Sequence, residues 1–288
     1  MLILDGKVVR DKIAAELRQR ILAFSSKPKL VIIQIGENEE SATYIQQKKR
    51  FGESIGAVVE HVALPADTSE RDVLSAIKQY NSDSNTHGII IQMPIPDSFD
   101  RDRVLDAIAP EKDVDGLGSA SVKALWEGKR AGYMPATTKG ILSLLEYYKI
   151  PIAGKNVVVV GRSFLVGKPT AQALLNLDAT VTIAHSKTVN LPALTQHADI
   201  LIVATGNPHF IQRDHVRAGQ VIIDVGITAV TGEKLDEEVG ERTITGDVHF
   251  DAVKDTVHAI SPVPGGVGPM TVASLFENLV TAFEIQNR

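Results

Sequence analysis

No cysteine occurs anywhere in the 288 residues. Disulfides, thiolate metal sites and cysteine nucleophiles are therefore excluded. The eight histidines form no HxxxH or HExxH grouping, so neither a structural zinc nor a zinc protease is supported. There is no dense Lys/Arg block, and the net charge of −5 gives no general attraction to phosphate backbones. Nucleic acid is not an expected partner, although a local basic site for one small anion stays open. No apolar run approaches the roughly 20 residues of a membrane span. The N-terminal MLILDGKVVRDK is broken by Asp5 and Lys7 before a signal-type apolar core could form. The expected address is cytoplasmic, with no membrane partner. No internal repeat of fixed period is apparent.

What is present is an ordinary globular composition, 44% hydrophobic and 23% charged, which indicates neither disorder nor a fibre. At roughly 150 residues per domain the length suggests two domains. Val8, Ile13, Leu17, Ile21 and Leu22 recur at helical spacing over 7–24, and LVIIQI at 30–35 is a β-branched run suited to a buried strand. A helix over 38–56, VVEHVAL at 58–64, a helix over 69–80 and GIIIQMPIP at 88–96 continue the alternation. Strands joined by helices imply crossovers and a mostly parallel sheet, so the fold class is α/β. The pattern weakens over 109–140, where APEKDVDGLGSAS and GKRAGYMPATTKG flank one short helix, and the domain boundary is expected there.

The second half resumes with a helix near 138–148, then KNVVVVGRS, a helix from about 167, ATVTIAHS, ADILIVATG and QVIIDVG. Ligands in open α/β sheets gather at the carboxyl ends of strands, and these four ends share small or polar residues. A turn-rich ISPVPGGVGP then feeds a helix whose apolar positions include Val272, Leu275, Leu279 and Phe283.

In VVVVGRSFLVGKP, Gly161 and Gly167 separate a buried strand from a helix. Glycine lets backbone approach an anion, and a helix N-terminus offers N–H groups and a positive dipole end. Ser163 stands where GxGxxG has its second glycine, and the last glycine falls one residue late, so a tight turn with no ligand would look the same. The next strand decides between them. Where an NAD enzyme offers a carboxylate to the ribose hydroxyl, this chain has His185, Ser186, Lys187 and Thr188. With Arg162 they suit a ribose 2′-phosphate, which favours NADP over NAD.

Tyr44 and Lys48 are four residues apart on one helix, hence stacked neighbours. Alone, such a pair reads as an ordinary helix face. Two further polar residues converge on a functional reading: Gln92 closes the apolar GIII strand, and Asp115 lies in the glycine-flanked KDVDG. A strand-end amide must find a partner, and a lysine ammonium would serve; apolar surroundings would lower the pKa of that lysine. A YxxxK pair also occurs in short-chain dehydrogenases, but there it follows the nucleotide turn, whereas here it precedes it by more than 110 residues.

Eight blocks in order, SATYIQQKK, GIIIQMPIP, PEKDVDG, VVVVGRSFLVGKP, AHSKT, VIIDVGI, GDVHF and ISPVPGGVGPMT, give the chain a close resemblance to the bifunctional methylenetetrahydrofolate dehydrogenase/cyclohydrolase family, from about residue 30 to the C-terminal helix. The resemblance implies a folate-binding α/β catalytic domain over 1–134, completed by a helix at 269–288 that returns to it, and a Rossmann-type NADP-binding domain over 135–268. It also implies a homodimer, tetrahydrofolate substrates, a role in one-carbon metabolism, and folate lying between the domains. By resemblance Lys48 is the catalytic lysine, Gln92 holds and tunes it, Tyr44 stacks on the folate, Asp115 bonds the pterin, and Pro262, Gly265 and Gly266 line the cleft. Gly161, Arg162, Ser163, Ser186, Ile227 and Thr137 are the implied NADP contacts.

Two blocks depart from the family pattern. LGSAS follows KDVDG in place of an aromatic with a spaced His and Asn, and PATT stands for PCTP, with Thr138 where proline is usual. Both bear on the wall of the folate site. The alternatives are another NADP-dependent oxidoreductase, such as a short-chain or amino-acid dehydrogenase, a monofunctional member of the same family, or a non-catalytic NADP-binding protein. Block order and PVPGGVGP weigh against the first, and the joint presence of Tyr44, Lys48, Gln92 and Asp115 against the last.

If Arg162 and Ser186 hold the 2′-phosphate, Arg162→Ala and Ser186→Asp weaken NADP more than NAD by about tenfold, a loss typical of one charge-assisted contact. Titration of both dinucleotides measures this, and an unchanged ratio of dissociation constants removes these residues from the site.

Overall fold

A computed structural model describes residues 1–36, 39–129, 132–231 and 242–288. It divides into two compact units, Arg10–Lys139 with Val272–Arg288, and Met1–Val9 with Gly140–Thr271. In chain order the elements are β1 (Leu2–Ile3), α1 (Gly6–Leu22), β2 (Lys29–Ile35), α2 (Glu39–Ile55), β3 (Val58–Leu64), α3 (Glu70–Ser82), β4 (Gly88–Ile91), α4 (Arg101–Asp106), α5 (Ser119–Trp126) and α6 (Ala136–Tyr147). There follow β5 (Asn156–Val160), α7 (Gly167–Leu175), β6 (Thr180–Ala184), α8 (Leu191–Gln196), β7 (Ile200–Val203), β8 (Val221–Asp224), β9 (Thr228–Thr231), β10 (Arg242–Thr245), α9 (Phe250–Val253), β11 (Ala259–Ile260) and α10 (Val267–Gln286). The start expected at residue 38 for α2 lies outside the described residues.

The first unit is built on a parallel sheet ordered β3-β2-β4, with Leu30 opposite Gly88 and Ile33 opposite Ile91. Gln92 thus stands one residue past the strand, yet its N–H still donates to Ile33 O at 2.8 Å. The β-branched runs of β2 and β4 are buried, whereas β3 is half-exposed, so the two-sided burial expected of every strand holds at central β2 and at one edge, β4, and fails at the other edge, β3. In α1 the buried stripe is Val9, Ile13, Leu17 and Ile21, a strict four-residue spacing. Val8 and Leu22, expected in that stripe, are 48% and 73% exposed because they fall about 100° off it.

Helix α10 completes this unit. Val272, Leu275, Leu279 and Phe283 are buried, and Leu279 packs so closely that a Cβ on Gly88 would come within 2.8 Å of it. Asn278 fixes the helix axially: its Nδ2 donates to Val114 O and Met134 O, both at 2.9 Å, and its Oδ1 accepts from Lys139 Nζ at 3.0 Å.

The second unit carries a six-stranded parallel sheet ordered β6-β5-β7-β8-β11-β1. From β5 the chain winds outward to β6, then crosses back to place β7 on the other flank of β5. This reversal is a topological switch point, and it opens a crevice beyond the carboxyl ends of β5 and β7. Val158, Val160, Leu201, Val203, Ile222 and Ile260 form a buried core on one face of the sheet, and the alternate residues Val157, Val159, Ile200, Ile202 and Ile223 are buried on the other. Leu2 pairs with Ala259, which gives the first nine residues to this unit, whereas the sequence expectation placed them with 10–134. A two-residue strand in a short apolar run carries no periodicity by which to assign it. Among the described residues no helix is long and apolar enough to cross a membrane.

Candidate active site

Two successive turns of α2 present Tyr44 and Lys48, both half-buried. Lys48 Nζ donates to Gln92 Oε1 at 2.8 Å, and Gln92 Nε2 donates to Met93 O at 3.0 Å, so the amide can turn only its oxygen toward the lysine. Ser41, one turn before Tyr44, donates to the same Met93 carbonyl at 3.3 Å and ties α2 to the exit of β4. Burial pushes the Lys48 ammonium below the ordinary lysine pKa, and the nearby Asp115 charge works against that shift. For Asp115 burial raises the pKa and Lys48 opposes it. Desolvation drives both groups toward neutrality while each holds its partner charged.

The segment KDVDG divides its labour residue by residue. Lys112 is buried and donates to Tyr80 O, Asn81 O and Asp83 O at 3.0, 2.8 and 2.8 Å, occupying carbonyls at the end of α3. Asp113 accepts from Leu117 N, Gly118 N and Ser121 Oγ at 3.2, 3.0 and 2.7 Å, and so anchors the start of α5. Burial lifts its pKa to about 6 against those hydrogen bonds. Val114 gives its carbonyl to Asn278, and Gly116 takes φ +70° with Tyr133 O where a Cβ would stand. Of the two carboxylates, only Asp115 is coupled to Lys48. Its carbonyl accepts from Ala136 N at 3.3 Å, which seats it against the first turn of α6, where Thr137 is half-buried and Thr138 fully buried.

The departure LGSAS is therefore accommodated: Ser121 closes the Asp113 network. Lys112, Asp113 and Asn278 were not singled out in the sequence. Lys112 and Asp113 carry only charge within the PEKDVDG block, and Asn278 only an amide in an apolar helix, signals that do not distinguish a buried cap from a solvated position.

In the second unit Gly161 leaves β5 with φ +123°, and a Cβ there would land on Ala204 O at the exit of β7. A Cβ on Gly167 would meet Gly161 O in turn, so both glycines are required by backbone approach at the switch point. Ser163 Oγ accepts from Val166 N at 3.2 Å and Gly167 N at 3.3 Å. The N-terminus of α7 is thus partly capped from within, unlike the open N–H groups expected, and the Ser163 hydroxyl keeps its hydrogen free to donate. Gly161 N donates to Ala184 O at 2.9 Å, which brings the exits of β5 and β6 level. Arg162 and Ser163 leave one strand and Ser186 and Lys187 the next, all exposed.

The HSKT turn is held by His185 N to Thr188 Oγ1 at 2.9 Å and Thr188 N to His185 O at 2.8 Å. With two cations, two hydroxyls and no carboxylate among the exposed residues at these exits, the donor set fits a phosphorylated dinucleotide. Ile227 is 39% exposed past β8. Pro262, Gly265 and Gly266 form a tight loop in this same unit, where Gly266 N donates to Pro262 O at 2.7 Å and Gly6 N to Gly265 O at 2.9 Å. Gly6 has no room for a side chain because Gly266 O sits where its Cβ would be.

Residues 4–115 match the catalytic domain of tetrahydrofolate dehydrogenase/cyclohydrolase, and residues 135–287 match its NAD(P)-binding domain. The chain belongs to the tetrahydrofolate dehydrogenase/cyclohydrolase family. It is 45% identical over 285 residues to the bifunctional protein FolD of Methanoculleus marisnigri, covering 99% of this chain and 97% of that one. The FolD of Lysinibacillus sphaericus is 43% identical, with 98% and 97% covered. Among solved structures, the bifunctional FolD of Campylobacter jejuni superposes with a TM-score of 0.93 at 37% identity, covering 99% of each chain. The Trypanosoma brucei FolD, solved with NADP cofactor and an inhibitor, gives 0.94 at 32% identity, covering 100% of this chain and 99% of that one.

Within the dehydrogenase/cyclohydrolase family frame, the expected α/β class, the NAD(P)-binding second domain and the returning C-terminal helix all stand. The close approach at Gly161 yields a direct test. Gly161→Ala forces β5 and β7 apart at their exits and is expected to weaken dinucleotide binding by about tenfold or more, given the strain of a side chain at that φ. Fluorescence titration measures it; an affinity equal to that of the unaltered protein would mean that the switch point is not the dinucleotide site.

Proposed function

We propose that this protein oxidises methylenetetrahydrofolate with NADP+ to methenyltetrahydrofolate and hydrolyses that product to formyltetrahydrofolate. The observation that carries the reading is the 2.8 Å contact between Lys48 Nζ and Gln92 Oε1, made where burial depresses the lysine pKa and Asp115 supplies the balancing charge. The chemistry supplied by the bound dinucleotide is hydride acceptance. Gly161, Arg162, Ser163 and Ser186 are the residues that would hold it.

On the folate, Tyr44 offers an aromatic face one turn from Lys48, and Asp115 offers a carboxylate to the polar edge of the pterin. Hydrolysis needs a proton removed from water as it adds to the methenyl carbon, a proton delivered to the ring nitrogen as the carbon–nitrogen bond breaks, and the adduct's remaining hydroxyl proton released to solvent as the formyl carbonyl forms. Neutral Lys48 Nζ takes the first, and the resulting ammonium supplies the second, so the same atom serves both steps and ends as it began. Gln92 Oε1 holds Nζ through the cycle because it accepts a hydrogen bond from either protonation state.

We also propose a homodimer. Strand β6 is an edge of the six-stranded sheet and exposes Ile183 at 40%, with Leu175 and Leu177 nearby in sequence at 53% and 42%. An unpaired edge with apolar side chains is a surface that proteins ordinarily cover.

Three measurements test these readings. Lys48→Met is expected to lower methenyl hydrolysis by about 100-fold or more, the usual weight of a general base, and to spare hydride transfer. In the unaltered protein, hydrolysis should rise with pH as Lys48 loses its proton, with the limb centred below the ordinary lysine range. Methenyl absorbance and formyl product, followed separately with NADP+ present, distinguish the steps; equal loss of both in a folded variant counts against the assignment. Sedimentation should show a dimer that Ile183→Lys converts to monomer, and a monomeric unaltered protein would reject the dimer.

A further inference from the structure

Two buried carboxylates outside the nucleotide turn organise the strand exits around it. Asp224 ends β8, and Asp247 follows β10; they are 3% and 0% exposed. Asp247 Oδ2 accepts from Thr205 N at 2.5 Å and Gly206 N at 2.9 Å. Those residues directly follow Ala204, whose carbonyl oxygen stands where a Gly161 Cβ would fall. The carboxylate therefore holds the side of the switch point that faces the Gly161 turn.

Asp224 secures the neighbouring exit. Its Oδ1 accepts from Gly226 N at 3.0 Å and Asp247 N at 3.1 Å, its Oδ2 accepts from Val248 N at 2.9 Å, and its own N–H donates to Ser261 Oγ at 2.8 Å. Gly226 immediately precedes Ile227, and a Cβ on Gly226 would land on the Asp247 carboxylate. One pair of side chains thus sets the backbone at the ends of both β7 and β8.

The arrangement has a cost that a purely structural link would not need. Asp247 Oδ1 is buried and has no hydrogen-bond partner among the described residues. An orphaned carboxylate oxygen is expensive, and a single hydroxyl acceptor would spare that expense. A full negative charge, however, binds two convergent N–H groups more strongly than a neutral acceptor does. The benefit falls on a loop in the crevice rather than on the sheet core.

We infer that Asp247 is a positioning residue for dinucleotide binding, holding the β7 exit against the Gly161 turn, with Asp224 fixing Asp247 and the β8 exit together. This rests on the dinucleotide reading above. The test uses the full-length protein with Asp247→Ala and Asp247→Asn, measuring the NADP+ dissociation constant, KM for each substrate, and methenyl hydrolysis, which consumes no dinucleotide.

Asp247→Ala is expected to weaken NADP+ by about tenfold or more and Asp247→Asn by less, since an amide oxygen still accepts both N–H groups without the charge. Hydrolysis and folate KM should stay within about twofold. An unchanged NADP+ dissociation constant in a folded variant overturns the inference, and so does a parallel fall in hydrolysis, which would mark a general structural role. If Asp247→Ala does not fold, Asp247→Asn decides by the same criteria. Failure of the unaltered protein to bind NADP+ would instead overturn the cofactor reading, and this inference with it.

Discussion

A primary amine leaves bulk water only where something replaces its hydration and where the loss of charge is useful. At Lys48 the replacement is a single amide oxygen, 2.8 Å away, supplied by a residue that stands just past the end of a buried strand. The rest of the first unit follows from holding those two atoms in register. Helix α2 must lie against the exit of β4, which Ser41 secures through Met93 O. Gln92 must keep its orientation, which its Nε2 bond to Met93 and its N–H bond to Ile33 enforce. Strand β4 must begin at a glycine, because Leu279 and Val114 pack where a side chain would be. The buried apolar run GIII is thus more than filler: it is the rigid element that delivers one polar group to one place.

The balancing charge imposes its own conditions. Asp115 is useful only if its neighbours in KDVDG do not compete for the lysine, and each has other work. Lys112 spends all three ammonium hydrogens on carbonyls at the end of α3, and Asp113 spends both oxygens on the start of α5 and on Ser121. Asn278 then clamps Val114 between them through α10. A charged segment that could have been a solvated loop instead holds two satisfied buried ions, Lys112 and Asp113, and a half-buried Asp115 whose charge acts on Lys48. Such networks hold one geometry because a half-satisfied version is worse than none.

This distinction marks how far the chemistry could be read from sequence. The α/β class, the order of elements and the buried face of α10 follow from periodicity, and Gln92 stood out because a polar side chain closing an apolar strand needs a partner. The neighbouring glycine set Asp115 apart, but nothing in KDVDG marked Asp113, between Lys112 and Val114, as the acid that anchors α5, since that role depends on which backbone groups come near. Strand β1 escaped because two residues have no period. Val8 was assigned to the stripe of α1 in place of Val9 because adjacent valines satisfy a loose helical count equally well, and only packing breaks the tie. The LGSAS segment, whose family counterpart differs, gave no hint that Ser121 would close a buried network.

In the second unit the limit is different. Gly161 and Gly167 were legible as glycines, but their necessity is one of backbone approach: the winding order brings the exit of β7 so close that Ala204 O fills the space of a Gly161 side chain, and the turn brings Gly161 O into that of Gly167. Ser163 shows what a missing second glycine provides. Its hydroxyl oxygen takes up two N–H groups at the start of α7 that a bare turn would leave open, and its hydrogen remains free to donate. On the proposed assignment, the dinucleotide site relies less on the helix terminus and more on Arg162, Ser186 and Lys187 at two level strand exits. Selectivity for a phosphorylated ribose, on this account, is a property of the β6 exit and its lack of a carboxylate, while affinity for the dinucleotide as a whole depends on how firmly the β7 exit is held against the first turn.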